Sequence, residues 1–209
     1  MLKPFQPAAE LFPMRAAMKP IILPLLITPF ALLACDTQPA KTQENFTANI
    51  QSLCGQAFAG RLVTDDPEDA AWRDADIKMH MFECAEGEVK IALHVGQHRS
   101  MTWVVSGEGD AVSLRHDHRQ KNGSPHALTD FGGTAEAVTN TRAEFPANPQ
   151  SIETFEKLGM SDATGRKWAL ELQSERGVFA YERQRPEHFF RIEFDTTTPI
   201  PTPATGWGW

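Results

Sequence analysis

A mainly β chain is predicted, an antiparallel up-and-down barrel or sandwich of about nine strands with one short helix. Three observations predict it. Between the ends of the chain the apolar residues recur with a period of two rather than 3.6. Most connections are short and carry turn residues, as in "AEGE", "GQHR", "GEGD", "SERG" and "RPEH". One segment alone has both start and stop signals for a helix.

In chain order, Gln56 to Thr64 is the first candidate strand, followed by Ile77 to Cys84 and Val89 to Val95 on either side of "AEGE". Ser100 to Ser106 follows "GQHR", and Ala111 to Arg119 follows "GEGD". Thr134 to Glu144 reads as one strand. The helix comes next, with Asn148 as N-cap, Pro149 at the first helical position, Ile152, Phe155 and Leu158 on one stripe, and Gly159 as the stop. Such a stripe suits either a lid lying against a barrel or a connector packed outside it. Lys167 to Gln173, Val178 to Arg183 and Phe189 to Asp195 complete the meander. Closing it removes exposed edges.

The ends differ from this body. Ile21 to Ala34 is a 14-residue apolar run preceded by Arg15 and Lys19, the pattern of an export signal, and Met14 or Met18 gives it a more basic start than Met1. Its end, Leu32-Leu33-Ala34-Cys35, resembles the lipobox of bacterial lipoproteins. That resemblance implies a leader over 1–34, acylation of Cys35, anchorage in the envelope facing the periplasm, and, through Asp36, retention at the inner membrane. Several acyl chains make a durable anchor. Loss of the leader takes Lys3, Arg15, Lys19 and Glu10, so that 20 basic and 27 acidic residues fall to 17 and 26, a net charge of −9. An acidic body with interspersed charges offers no footprint for nucleic acid. Residues 35–53 are polar and read as a flexible tether. The body is expected over 54–195 and a Thr/Pro-rich tail over 196–209, whose two tryptophans either fold back or form a loose aromatic tip. A monomer is expected.

Cys54 and Cys84 are the even pair left in an oxidising compartment, which predicts a disulfide worth roughly 3 to 4 kcal/mol in the chain-entropy view. Two buried thiols are the alternative.

No G-x-S-x-G, H-E-x-x-H, C-x-x-C or P-loop pattern occurs, and "SGEGDAV" around Gly107 reads as a hairpin turn. The densest chemistry is "LRHDHRQKNG", Leu114 to Gly123. On a strand, His116 and His118 share a face with Val112 and Leu114, while Arg115, Asp117 and Arg119 line the other. Two imidazoles at i and i+2 lie about 7 Å apart, near enough for one metal only with a third ligand such as His80 or His94. Otherwise the pair bonds neighbours or a bound ligand. Trp103 and other aromatics of central and late strands suit a pocket wall. Arg115 suits a carboxylate if its face turns inward.

The segments "CGQAFAGR", "HVGQHRSMTWVV", "LRHDHRQKNGSP", "RAEFPA" and "HFFRIEFD" resemble a set of secreted bacterial proteins without a defined activity. The meander is similar in architecture alone to lipocalin and fatty-acid-binding barrels, and Arg191 on the last strand resembles the closing-strand arginine of such barrels. The first expectation is therefore an envelope lipoprotein whose barrel binds a small, partly apolar ligand through His116, His118, Arg115, Trp103 and Arg191, with no cofactor. A metal-dependent or acid–base enzyme using His116, Asp117 and His118 is the second, and a structural or chaperone-like envelope protein using the tail tryptophans is the third.

Overall fold

A computed structural model describes residues 41–108 and 111–209; the expectations for the leader, for Cys35 and for Asp36 lie outside the described residues. The strands are β1 (Ala57–Leu62), β2 (Ile77–Ala85), β3 (Glu88–Val95), β4 (His98–Glu108), β5 (Ala111–His118), β6 (Phe131–Thr134), β7 (Ala137–Val138), β8 (Arg142–Pro146), β9 (Lys167–Gln173), β10 (Val178–Arg185) and β11 (His188–Asp195). All pair antiparallel in one sheet of order β6-β5-β4-β3-β2-β1-β11-β10-β9-β8-β7, curled into a half-barrel. The first and last strands of the meander pair with each other, Gly60 opposite Phe194 and Leu62 opposite Ile192.

The strand count is eleven rather than about nine, and one segment accounts for the difference. Thr134 to Glu144 is not continuous: β6 ends at Thr134, and β7 and β8 form a small hairpin. At its tip the Thr139 hydroxyl accepts from the backbone N–H groups of Thr141 and Arg142 at 3.3 and 3.0 Å, while the Thr139 N–H donates to the Arg142 carbonyl at 2.7 Å. A threonine side chain has taken over the turn bonding that an alternating pattern does not reveal.

Edge strand β6 is drawn towards β8 across the open side. The Asn148 N–H donates to the Gly132 carbonyl at 2.9 Å, and the Ser151 hydroxyl bridges both backbone groups of Gly132, at 2.7 and 2.9 Å. So close an approach requires Gly133, because a Cβ there would stand 1.8 Å from the Pro146 carbonyl oxygen. The helix after the seam, α3 in the chain (Pro149–Lys157), is capped by Asn148, whose side chain accepts from the Ser151 N–H at 2.8 Å. Its buried Phe155 packs on Phe131 and Trp168, with ring centroids 5.6 and 6.5 Å away. It therefore covers the seam.

The expected tether of 35–53 is corrected over its second half. Lys41–Gln51 forms helix α1, which lies against β3, β4, β5 and β7 and buries Phe46 and Ile50 completely. Asn49 Nδ2 donates to the Asn140 carbonyl at 2.8 Å and Gln51 Nε2 to the Ala85 carbonyl at 2.7 Å, fixing α1 across one end of the half-barrel. A mostly polar sequence concealed this, since two apolar side chains one helical turn apart suffice when the cavity is ready for them. Cys54, just beyond α1, is bonded to Cys84 of β2, their Cα atoms 6.2 Å apart.

The tail also belongs to the body. Ile200 pairs with Ala57, and the Trp207 N–H donates to the Arg99 carbonyl at 2.8 Å. Trp209 lies beside Phe82, with Lys90 and Arg119 over its ring at 4.5 and 4.6 Å. Of the two arrangements left open for the tryptophans, the chain adopts the folded-back one.

Candidate functional site

The face of β5 that turns inward is the histidine face. Val112, Leu114 and His116 are buried in the interior with Trp103 of β4 directly opposite His116. Arg115 projects outward to Asp130 at 2.6 Å and to Asp117 at 3.3 Å, and Arg119 Nε donates to Asp117 at 3.0 Å. Burial alone would raise the Asp117 carboxyl; donation from Arg119, reinforced by Arg115, holds it below its ordinary range.

His116 has a defined tautomer. Nδ1 lies 3.1 Å from the Phe131 carbonyl, which can only accept, so Nδ1 carries the hydrogen. Nε2 is then the acceptor for the Tyr181 hydroxyl, 3.0 Å away. The imidazole stacks on Phe131 with centroids 4.6 Å apart, and the Tyr181 ring stacks on Trp103 at 4.3 Å. Burial holds His116 far below its ordinary pKa, with His118 adding to the effect, and burial raises Tyr181 to about 12. At neutral pH this is a neutral imidazole bonded to a neutral phenol.

Above this floor, at the end of the half-barrel away from α1, is a cavity of about 210 Å³. Its walls include Trp103, Phe131, Trp168 and Phe190, with Leu93, Met101, Leu128, Met160 and Ile192 between them. Trp72, on the short helix α2 (Ala70–Arg73), meets Phe190 edge-on at 5.1 Å and closes one side. His118 faces the same space and stands edge-on to Phe131 at 5.1 Å; burial lowers its pKa to about 4, His126 assisting and Asp117 opposing. A wider outer hollow of about 480 Å³ beside Gly60, Arg61 and Glu193 has no buried polar side chain in its lining. The inner cavity is where aromatic surface and fixed polar groups converge.

Two arginines that sequence reasoning passed over also line it, Arg166 before β9 and Arg183 on β10. The Nε of each is buried without a hydrogen-bond partner. Arg183 is cross-strand to both Trp168 and Phe190, and its guanidinium lies 4.6 Å from the Phe190 centroid. Strand alternation carried a signal for it, because Phe179, Tyr181 and Arg183 share a face. Arg166 lies in a loop, where no periodicity points inward.

Of the expected ligand-binding residues, His116, His118 and Trp103 meet in the cavity, while Arg115 and Arg191 stand outside it. Arg191 Nη1 donates to Glu171 at 2.7 Å and to Glu182, and its Nε to Glu193 at 2.9 Å. Arg142 joins the same network through Glu182 at 2.6 Å and Glu144 at 2.9 Å. Asp117 is turned away from His116 and His118, so the three do not share a face. His80 and His94 lie on the outer face of β2 and β3, separated from the β5 pair by the sheet. Among the described residues no three His, Cys, Asp or Glu side chains are grouped to hold a metal ion. No family model matches the chain, and no curated protein or solved structure matches it either.

Proposed function

We propose that this chain is an envelope lipoprotein whose barrel-like body binds a small, partly apolar ligand in the inner cavity. The observation that carries the reading is the convergence of the His116–Tyr181 pair with stacked aromatic walls on one space of about 210 Å³. Apolar surface supplies affinity there, and a few fixed polar groups orient the ligand. Neutral His116 and His118 serve as hydrogen-bonding groups rather than charges. The volume is below the roughly 300–1,000 Å³ of sites for drug-sized molecules, so the ligand is smaller than those. Acylated Cys35 would hold the body at the periplasmic face of a membrane.

Both halves are testable. A panel of small neutral fluorinated aromatics followed by fluorine NMR should include members with saturable broadening, abolished by Met101→Trp, which fills the cavity. If no member saturates, or filling the cavity changes nothing, the ligand-binding reading fails. For the anchor, labelled palmitate should enter the wild-type chain in a bacterial host and be absent from Cys35→Ala. Equal labelling of both chains would exclude Cys35 as the acylated residue.

A further inference from the structure

Two guanidinium groups border the cavity with their Nε donors unpaired. Arg183 Nη2 reaches Asp69 at a long 3.4 Å, and Asp69 stands behind it, outside the lining. His188 approaches the same carboxylate at 3.0 Å, although its ring nitrogen is not in line for a hydrogen bond. Arg166 Nε has no hydrogen-bond partner; its guanidinium lies over the Phe155 ring at 5.5 Å. The carboxylate whose field reaches Arg166 is Asp162, which also lies 3.8 Å from Arg185, a residue paired more closely with Glu68. Burial lowers the Arg166 pKa and the like charge of Arg183 lowers it further. Two guanidinium groups thus border one cavity with a single buried carboxylate near them. Asp69, Asp162 and Glu68 balance Arg166, Arg183 and Arg185 in number, but neither Arg166 Nε nor Arg183 Nε is hydrogen-bonded, and a buried donor without an acceptor is costly.

We propose that the ligand is a small aromatic monocarboxylate whose carboxylate is received by Arg166 and Arg183 and whose ring enters the aromatic box above His116. This rests on the ligand-binding reading and names the ligand's chemical class. A guanidinium fork matches the two oxygens of a carboxylate, and both buried Nε donors gain acceptors when it arrives. Two unpaired Nε donors match the two oxygens of a single carboxylate. Trp103, Trp168, Phe131 and Phe190 present ring faces and edges to the body of the ligand, a surface suited to a flat ring. His116 and His118 are neutral at pH 7 and add no charge, so selectivity for the anion resides in the arginines.

The test compares 4-fluorophenylacetate with 4-fluorophenylacetamide, which have the same shape and differ in charge, by fluorine NMR titration of the full mature chain at pH 7.5. The expected result is a preference of roughly tenfold or more for the carboxylate. Arg166→Gln should bring that preference close to unity by weakening the carboxylate more than the amide, and Arg166→Lys should restore part of it. Arg183→Gln should act in the same direction, with thermal unfolding measured alongside because Asp69 loses a partner. Equal binding of the two probes, or a preference that survives Arg166→Gln, overturns the proposal and leaves the ligand-binding reading intact. Binding of neither up to about 10 mM overturns it as well, and the neutral panel then decides the ligand-binding reading separately.

Discussion

The two faces of the sheet treat arginine in opposite ways. Outside, Arg142 and Arg191 are surrounded by Glu144, Glu171, Glu182 and Glu193, and donation from Glu182's neighbours holds the arrangement across four strands. Inside, Arg166 and Arg183 border aromatic rings, with Asp69 the one buried carboxylate beside them and neither Nε hydrogen-bonded. The outer arginines complete a stable surface by themselves. The inner ones keep their Nε donors unpaired, and the proposed carboxylate site rests on that difference.

The strongest way to break this comparison is Arg191→Ala. Arg191, Glu171 and Glu182 have side chains only 16%, 17% and 10% exposed, so removal of the cation strands partly buried carboxylates. A loss of about 3 kcal/mol is expected in urea denaturation. A change below about 0.5 kcal/mol would show that the outer network is no more than a solvated surface.

Acid should act next, through the buried histidines. His118 and His94 have pKa values lowered to about 4 from 6.5, each chiefly by burial, with Arg99 contributing at His94. Below 6.5 the unfolded chain binds protons that the folded chain refuses, so stability falls with decreasing pH down to about 4, where the folded forms of these two also protonate. Each such histidine contributes up to about 1.4 kcal/mol per pH unit in that window. Denaturation midpoints measured from pH 7.5 to 4.5 should fall, and His118→Gln should make the slope shallower. A flat profile would mean that neither imidazole is enclosed.

His116→Phe keeps the ring and removes both nitrogens, leaving the Phe131 carbonyl and the Tyr181 hydroxyl without their partner. A cost of about 2 kcal/mol is expected. In a double-mutant cycle with Tyr181→Phe the two losses should be less than additive, since they share one bond. Full additivity would separate the imidazole from the phenol.

The smallest effect sharpens the comparison most. Arg166→Gln should change thermal stability by no more than about 0.5 kcal/mol, or raise it, because it removes a desolvated charge whose Nε has no hydrogen-bond partner. The same residue type would then be stabilising outside and neutral or costly inside. A loss comparable to that of Arg191→Ala would give Arg166 a structural role.

Particular residues show how much of this was legible beforehand. Eight of the strands followed from alternation and turn residues, and the helix at Asn148 from its cap, because these signals are local. The division of Leu114–Arg119 into a histidine face and an arginine face followed from strand geometry as well. Thr134 to Glu144 is broken by a turn that a Thr139 side chain makes, and α1 carries no local signal because burial of Phe46 and Ile50 depends on a space that distant strands create. Arg191 stood out as a charge among apolar residues, yet the same alternation that buries Phe190 and Ile192 sends Arg191 outward.

The sequence by itself determined the periodicity, the turns, the pairing of Cys54 with Cys84 and the separation of histidines from arginines on β5, since each depends on neighbours in the chain or on a simple count. Tertiary structure alone decided which face of β5 is interior, that Tyr181, 65 residues away, donates the hydrogen bond to His116 Nε2, and that Arg166 and Arg183 meet beside the same rings. Those outcomes depend on how far an eleven-stranded sheet curls before Gly133 reaches Pro146, a property of the whole sheet and of no segment within it.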